Sequence, residues 1–171
     1  MVDHSMTDGV LMLKPLVADD APEWLAGEDE EQLRWFEAPR PAQLSDVQLF
    51  ITACQESWRT LGSHRYWGIQ RVDSPVLLGG VDLRALGNDH VNLSYVVFPQ
   101  FRRQGVARRA SVLALAYAVT SMGAEAAIIK MLPENVSSRN LALGLGAHFL
   151  REEPSDGGVT FQVYGVNLPL A

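Results

Sequence analysis

The sequence predicts a single α/β domain with a mixed β-sheet covered by helices on both faces. The chain has 171 residues, of which 47% are hydrophobic and 20% charged, which is the balance of a globular domain that buries one core. Strand-like apolar runs alternate along it with segments whose apolar residues recur every three or four positions. No linker or low-complexity tract is long enough to divide it, so one domain over residues 10–171 is expected.

The first third of the chain predicts one strand and two helices. Residues 1–9 are expected to be a disordered leader, and residues 11–17 form the first strand. Asp19 to Pro22 open a helix, because acidic residues and proline are favoured in a first helical turn. A second helix begins at Ser45 and ends at Gly62. Its apolar residues follow a helical period: Val47, Phe50, Ile51, Cys54 and Trp58.

The centre of the chain predicts three consecutive strands at residues 66–72, 76–83 and 91–98. Short turns at residues 73–75 and 87–89 join them, and connections of this length favour an antiparallel meander.

The remaining third alternates between helices and strands. Residues 108–122 form a helix that is apolar almost all round, so we expect it to be buried on every side, with Gly123 as its cap. The elements that follow are a strand at 126–131, a helix at 137–145, and strands at 147–151 and 159–166.

Charge and cysteine content exclude several classes of protein. Residues 1–60 hold twelve acidic and four basic side chains, and the net charge of the chain is −6, which argues against a nucleic-acid partner. Cys54 is the single cysteine, so neither a disulfide framework nor a cysteine-based zinc site is expected, and we predict no metal. The absence of a long apolar run and of a secretory signal predicts a cytoplasmic protein with no membrane partner.

The turn after the third central strand carries most of the functional signal. Residues 99–110 contain four arginines, one glycine and no acidic residue, and they lie between a predicted strand and a predicted helix. Unpaired N–H groups and the positive end of the helix dipole favour an anion at such a position. A solvated basic loop that caps the helix is the alternative interpretation.

A second polar segment precedes the short helix at 137–145. Asn135, Ser138 and Gly146 have the spacing Asn-x-x-Ser-x(7)-Gly, one helix and one strand after the basic turn. Asparagine and serine at a helix start also act as simple caps, so that role is the alternative here.

Both segments resemble the cofactor-binding signatures of the GNAT acetyltransferase superfamily. Arg102-x-x-Gly105-x-Ala107 is similar to its pyrophosphate-binding signature, and Asn135-x-x-Ser138 to its second cofactor-facing segment. Residues 13–21, 33–41 and 78–81 resemble the ribosomal-protein N-terminal acetyltransferase-like branch. The resemblance implies a sheet of about seven strands, splayed near the fourth, with acetyl-CoA lying in the splay.

The resemblance also implies which residues hold the cofactor. The Arg102 side chain and the N–H groups of the turn would bind the pyrophosphate: Arg103, Gln104, Gly105, Val106, Ala107 and Arg108. The backbone of Val96, Val97 and Phe98 would pair with the pantetheine arm like an added strand. Asn135 and Ser138 would face the pantetheine and its sulfur.

The catalytic residues are less well defined by the same resemblance. Many relatives carry a thiol-protonating tyrosine seven residues after the asparagine, where this chain has Ala142, so Ser138 becomes the candidate for assisting the leaving thiolate. Asn92 stands where relatives carry a glutamate base. Asp82 and His90 are both left as substitutes for that base.

The aromatic pair Trp35 and Phe36 is predicted to contact the acceptor, together with Asn92. The implied activity is transfer of an acetyl group from acetyl-CoA to a primary amine, either a peptide N-terminus or a small molecule, by direct attack in a ternary complex. A non-catalytic acetyl-CoA-binding sensor or interaction module is the alternative, and a homodimer is an oligomeric state that the sequence leaves open.

Overall fold

The computed structural model describes residues 4–171. Within them lie five α-helices: α1 (Ala21–Ala26), α2 (Glu30–Trp35), α3 (Leu44–Thr60), α4 (Val106–Met122) and α5 (Val136–Gly144). The same residues form eight strands: β1 (Met6–Thr7), β2 (Leu11–Pro15), β3 (His64–Arg71), β4 (Ser74–Gly87), β5 (His90–Val97), β6 (Ala126–Met131), β7 (His148–Pro154) and β8 (Thr160–Asn167).

All eight strands join one mixed sheet in the order β1-β2-β3-β4-β5-β6-β8-β7. The predicted meander is confirmed, since β3, β4 and β5 pair antiparallel in succession. Only β5 and β6 are parallel, and α4 makes the crossover between them. The eighth strand is the two-residue β1, which is too short to leave a periodic signal in the sequence.

The sheet splits between its two parallel strands. Backbone pairing of β5 with β6 covers only His90 to Asn92 against Ala126 to Ile128. Beyond Asn92 the rest of β5 has no strand on that side, and a cleft opens. The expected splay near the fourth strand is therefore confirmed. The sequence did not predict β1, so β5 is the fourth of the predicted strands.

Helices cover both faces of the sheet. One hydrophobic cluster joins the sheet to α4 and α5 and includes Trp58 at the end of α3. A smaller one joins the opposite face to α1 and the rest of α3. The expectation that α4 is buried on every side is wrong. Ala110, Ala114 and Ala118 are fully buried, but Val112 on the outer side is 40% exposed, because α4 forms the outer layer on its face of the sheet.

The N-terminal residues differ from the predicted leader. Residues 6–7 add β1 to the edge of β2, and the His4 ring stacks on Trp58 with 4.5 Å between ring centroids. Trp67 Nε1 donates to the His4 carbonyl at 3.0 Å. Residues 4–9 thus belong to the domain, because the edge of β2, Trp58 and Trp67 give them partners. The rest of the predicted leader, residues 1–3, lies outside the described residues.

Gly27, between α1 and α2, gives a test of this packing. A Cβ at Gly27 would overlap the ring of Phe98, which is 1% exposed and has no room to move. We expect Gly27→Ala to lower the free energy of unfolding by about 1–3 kcal/mol in urea denaturation. Gly144→Ala is the matched control, because its Cβ meets only the tip of the Arg108 side chain at 3.2 Å. Equal stabilities of the two variants would contradict the packing.

Candidate active site

A cleft of about 530 Å³ opens where β5 and β6 separate. Four segments line it: residues 93–97 of β5, residues 101–108 at the start of α4, residues 135–141 at the start of α5, and residues 31–36 of α2. The last three residues of β6 complete the wall. The splay therefore brings together most of the segments that the sequence singled out.

The turn before α4 has the form of an anion cradle. Arg103 and Gly105 both adopt left-handed backbone, with φ of +62° and +77°, and Gly105 is the N-cap of α4. The first bond within the helix runs from Arg109 N to Gly105 O, so the N–H groups of residues 106–108 have no helical partner. The space beside the Gly105 α-carbon is open. These features fit a phosphate-bearing ligand at the helix N-terminus.

Two further residues of the turn have partners within the protein. The Gln104 side chain donates to the Gln100 carbonyl at 3.0 Å and accepts from Arg71 at 3.1 Å. Arg108 lines the cleft and donates to the Gly144 carbonyl at 2.5 Å, which ties the start of α4 to the end of α5.

The Arg102 side chain is held by carboxylates rather than left free for a ligand. Its guanidinium donates to both Asp29 oxygens at 2.8 and 2.9 Å and to Glu31 at 2.6 Å. Hydrogen bonds from Arg102 lower the pKa of Asp29, so the carboxylate stays charged. Glu31 also accepts from Trp35 Nε1 at 3.2 Å. Arg102 thus fixes α2 against the cofactor turn, a role that its place in the motif does not reveal.

Strand pairing decides which backbone groups of β5 face the cleft. Phe98 N donates to the Leu78 carbonyl at 2.8 Å, and Val96 lies opposite Gly80 in the same register. Because hydrogen-bonded pairs alternate along antiparallel strands, Tyr95 and Val97 direct their backbone groups to the other side, towards the cleft. The backbone of all three residues from Val96 to Phe98 was expected to pair with a ligand. That expectation is wrong for Val96 and Phe98, because their backbone groups face β4.

Ser138 lies in the cleft with an unexpected partner. Its hydroxyl is 2.7 Å from the hydroxyl of Tyr95, and both residues line the cavity. Asn135 Oδ1 accepts from Ser138 N at 3.0 Å, so Asn135 caps α5 and lines the cleft as well. Burial raises the pKa of Tyr95 to about 12, which keeps it a neutral phenol. Sequence reasoning missed Tyr95, although the strand period of two places its side chain with those of Leu93 and Val97 on the face that α4 and α5 cover.

The two candidate bases lie in different places. His90 is exposed in the turn before β5, with Nδ1 2.5 Å from the Asn88 carbonyl, and it does not line the cleft. The cleft begins three residues further along, so the assignment of His90 is wrong. Asp82 is buried, and its cross-strand partner Ser94 forms part of the cleft wall.

Asn92 is next to Ser94 on the same face of β5, but it does not line the cleft. It is 6% exposed, and its Nδ2 donates to Ser94 Oγ at 3.0 Å. Asn92 Oδ1 is buried without a hydrogen-bond partner among the described residues. A buried acceptor of this kind is costly unless a bound group satisfies it.

Helix α2 supplies the outer wall of the cleft. Trp35 and Phe36 both line it, and Phe36 is 53% exposed. Arg34 covers the Trp35 ring, with its guanidinium carbon 4.8 Å from the ring centroid. The predicted aromatic pair therefore lies beside the cofactor turn. The ion pairs of Arg102 with Asp29 and Glu31 hold α2 in that position.

The Acetyltransferase (GNAT) domain family matches residues 11–148, and the chain therefore belongs to the GNAT acetyltransferase family. Solved structures with the same fold include a Vibrio cholerae protein provisionally assigned as a ribosomal-protein-serine acetyltransferase. It is 20% identical, with 98% of this chain and 99% of that chain covered and a TM-score of 0.82.

Two further solved structures contain coenzyme A. RimL, a ribosomal L7/L12 α-N-protein acetyltransferase in complex with coenzyme A, is 13% identical over 92% of this chain and 94% of that chain, with a TM-score of 0.79. Mycobacterium smegmatis RimJ in complex with CoA-disulfide is 17% identical over 94% of this chain and 83% of that chain, with a TM-score of 0.78. A search of curated protein sequences found no match.

Family membership makes the protein an acetyl-CoA-dependent acyltransferase. Within residues 4–171 there is no group of three or more His, Cys, Asp or Glu side chains that could hold a metal ion. No helix in that same range is long and apolar enough to cross a membrane.

The different surroundings of Arg102 and Arg103 predict separable effects. Arg102→Met should leave acetyl-CoA affinity within about threefold and raise the KM for the acceptor about tenfold, because α2 loses a charge-assisted contact. Arg103 is exposed beside the cradle, so Arg103→Met is the matched control and should weaken acetyl-CoA binding about tenfold. Calorimetry with acetyl-CoA and steady-state kinetics measure the two effects. A loss of cofactor affinity in Arg102→Met equal to that in Arg103→Met would contradict this division.

Proposed function

We propose that the protein acetylates a primary amine, which attacks the acetyl group directly while both substrates are bound. The observation that carries this proposal is the cleft through the sheet, which is lined both by the anion cradle at the start of α4 and by the aromatic side chains of the α2 segment. Holding two reactants in one cleft supplies much of the rate enhancement that acetyl transfer needs. Acetyl-CoA brings the acetyl group as a reactive thioester.

The cradle would hold the pyrophosphate through the free N–H groups of Val106, Ala107 and Arg108. The arginine side chains of Arg103 and Arg108 add positive charge at the same end of the cleft. Deeper in the cleft, the outward N–H groups of Tyr95 and Val97 are available to the pantetheine arm and to the thioester carbonyl.

Ser138 and Tyr95 are suited to stabilising the thiolate. Their hydroxyls are hydrogen-bonded to each other in the cleft, and one of them can turn its proton towards a sulfur atom. With a pKa of about 12, Tyr95 keeps its proton and contributes a hydrogen bond rather than a full proton transfer. A free thiol has an ordinary pKa of about 8.5, so modest stabilisation of the thiolate is enough near neutral pH.

The acceptor would approach past α2 and reach Ser94. Trp35 and Phe36 offer apolar surface to the body of the acceptor. The unpaired Asn92 Oδ1 behind Ser94 suits the N–H of an incoming amine. Asp82, opposite Ser94, is the group proposed to take the proton of the amine through a water molecule.

The acidic N-terminal region supports a cationic acceptor. Residues 1–60 carry a formal net charge of −8, four basic against twelve acidic side chains, and this region includes α2 at the cleft. The acceptor would then be a peptide N-terminus or a small polyamine, encountered in the cytoplasm. The lone cysteine, Cys54, is free and buried, as suits a reducing compartment.

The test of this function is thiol release from acetyl-CoA across a panel of amines. Peptide N-termini and polyamines should give amine-dependent release, and the rate for polycations should fall with added salt because charge steering is screened within about 8 Å at physiological ionic strength. Gly105→Glu is the control, since it places a carboxylate in the cradle and should weaken acetyl-CoA binding at least about tenfold. Tight acetyl-CoA binding without amine-dependent release would instead favour a non-catalytic binding module.

The hydroxyl pair predicts a non-additive double variant. Ser138→Ala and Tyr95→Phe should each lower kcat about tenfold, with acetyl-CoA affinity within a few-fold of wild type, because the contact strengthens as the thiolate forms. Because the two hydroxyls act as one unit, the double variant should lose little more than either single variant. Steady-state kinetics and calorimetry give both quantities. Unchanged turnover in Ser138→Ala would show that the thiolate leaves without this pair.

A further inference from the structure

His64 has no role assigned so far, and it lies against Asp82 on the face of the sheet opposite α4. His64 Nε2 is 2.5 Å from Asp82 Oδ2, and the two side chains differ sharply in exposure. The Asp82 side chain is 10% exposed, whereas the His64 side chain is 43% exposed at the start of β3. The pair therefore connects a buried carboxylate to solvent.

The pairing register of β3, β4 and β5 places Asp82 between His64 and the cleft wall. Tyr66 on β3 lies opposite Asp82 on β4, and Asp82 lies opposite Ser94 on β5. Side chains directly opposite each other share one face of the sheet, with neighbouring Cα atoms about 5 Å apart. From the cleft wall the order is Ser94, then Asp82, then His64. Asn92, whose Oδ1 has no partner among the described residues, donates to Ser94 at the inner end of this row.

We propose that His64 is the terminal proton acceptor of the acetylation reaction, with Asp82 connecting it to the acceptor end of the cleft. This role rests on the proposed function, because it concerns the proton that the amine must lose. An N–H bond of the bound ammonium breaks, the proton passes through water beside Ser94, and the Asp82–His64 pair takes it up as an aspartate–imidazolium ion pair. The exposed imidazolium then returns a proton to solvent, and the amine is left neutral for attack.

The other groups around His64 do not compete for this proton near neutral pH. They are Arg84 opposite it on β4 and Arg65 and Tyr66 beside it on β3, with Cys54 on α3 close enough to feel the charge of Asp82. Burial, with the Asp82 charge as a second cause, raises the pKa of Cys54 to about 12 and that of Tyr66 well above 10, so both stay neutral. Arginines stay charged throughout. The Asp82–His64 pair is thus the part of this cluster that joins the cleft wall to solvent and has a site free to take up a proton.

Chemical rescue distinguishes this role from a structural one. Wild-type kcat/KM for the amine should rise with pH as the pair loses its proton, and His64→Gln should lower it about 10²-fold at pH 7. Added imidazole should restore at least a tenth of the wild-type rate in a saturable way, because the vacated position opens to solvent. His90→Gln is the matched control, since that exposed turn residue should neither lose activity nor respond to imidazole.

A proton titration of His64 in the wild-type protein, followed by NMR, tests the same idea without a variant. The midpoint should coincide with that of the kinetic profile, and Asp82→Asn should move both in parallel. Full activity of His64→Gln would overturn the inference, and so would a folded His64→Gln that imidazole does not rescue. In either case, amine-dependent thiol release by the wild type would leave the proposed function intact. Absence of that release in the wild type would overturn the proposed function instead.

Discussion

The site depends on the point where the hydrogen-bond ladder between β5 and β6 stops. Three residue pairs hold the two strands together, and after Asn92 the backbone groups of β5 on that side have no strand to bind. Unpaired backbone N–H and C=O groups inside a sheet are costly unless another group satisfies them. An extended ligand can supply those bonds, so the interruption that weakens the sheet creates the cleft.

Two devices keep the cleft open on either side. Helix α4 begins in the splay with a left-handed glycine, and Arg108 ties that start to the end of α5. On the other side, Arg102 reaches from the cofactor turn to Asp29 and Glu31, which fixes α2 against that turn. The cofactor turn and α2 are therefore connected through one partly buried arginine.

The polar side chains of β5 divide between its two faces. Tyr95 alternates to the face of α4 and α5, where it meets Ser138. Ser94 alternates to the opposite face, where it adjoins Asn92 and Asp82. Consecutive residues of one strand thus point to opposite sides of the sheet, because side chains in a strand alternate with a period of two. In the proposed reaction, one side serves the leaving thiol and the other the attacking amine.

Local patterns determined the fold class, the meander, the cofactor turn and the start of α5. Each of these depends on residues that are close in sequence: apolar periodicity for β3 to β5, and a glycine in a basic stretch for the turn before α4. The family resemblance named Ser138, Asp82, Trp35 and Phe36, and the structure places Ser138, Trp35 and Phe36 in the cleft wall and Asp82 beside it.

Contacts between distant residues were decided only by the tertiary structure. Arg102 lies 73 residues from Asp29, Tyr95 lies 43 from Ser138, and His64 lies 18 from Asp82. A motif assigned Arg102 to the ligand, yet two carboxylates from α2 and its N-cap hold it. The family resemblance left His90 as a candidate base, yet the cleft begins beyond it. Sequence patterns report the conformation of neighbouring residues, whereas side-chain partners depend on strand register and helix packing, which only the folded chain fixes.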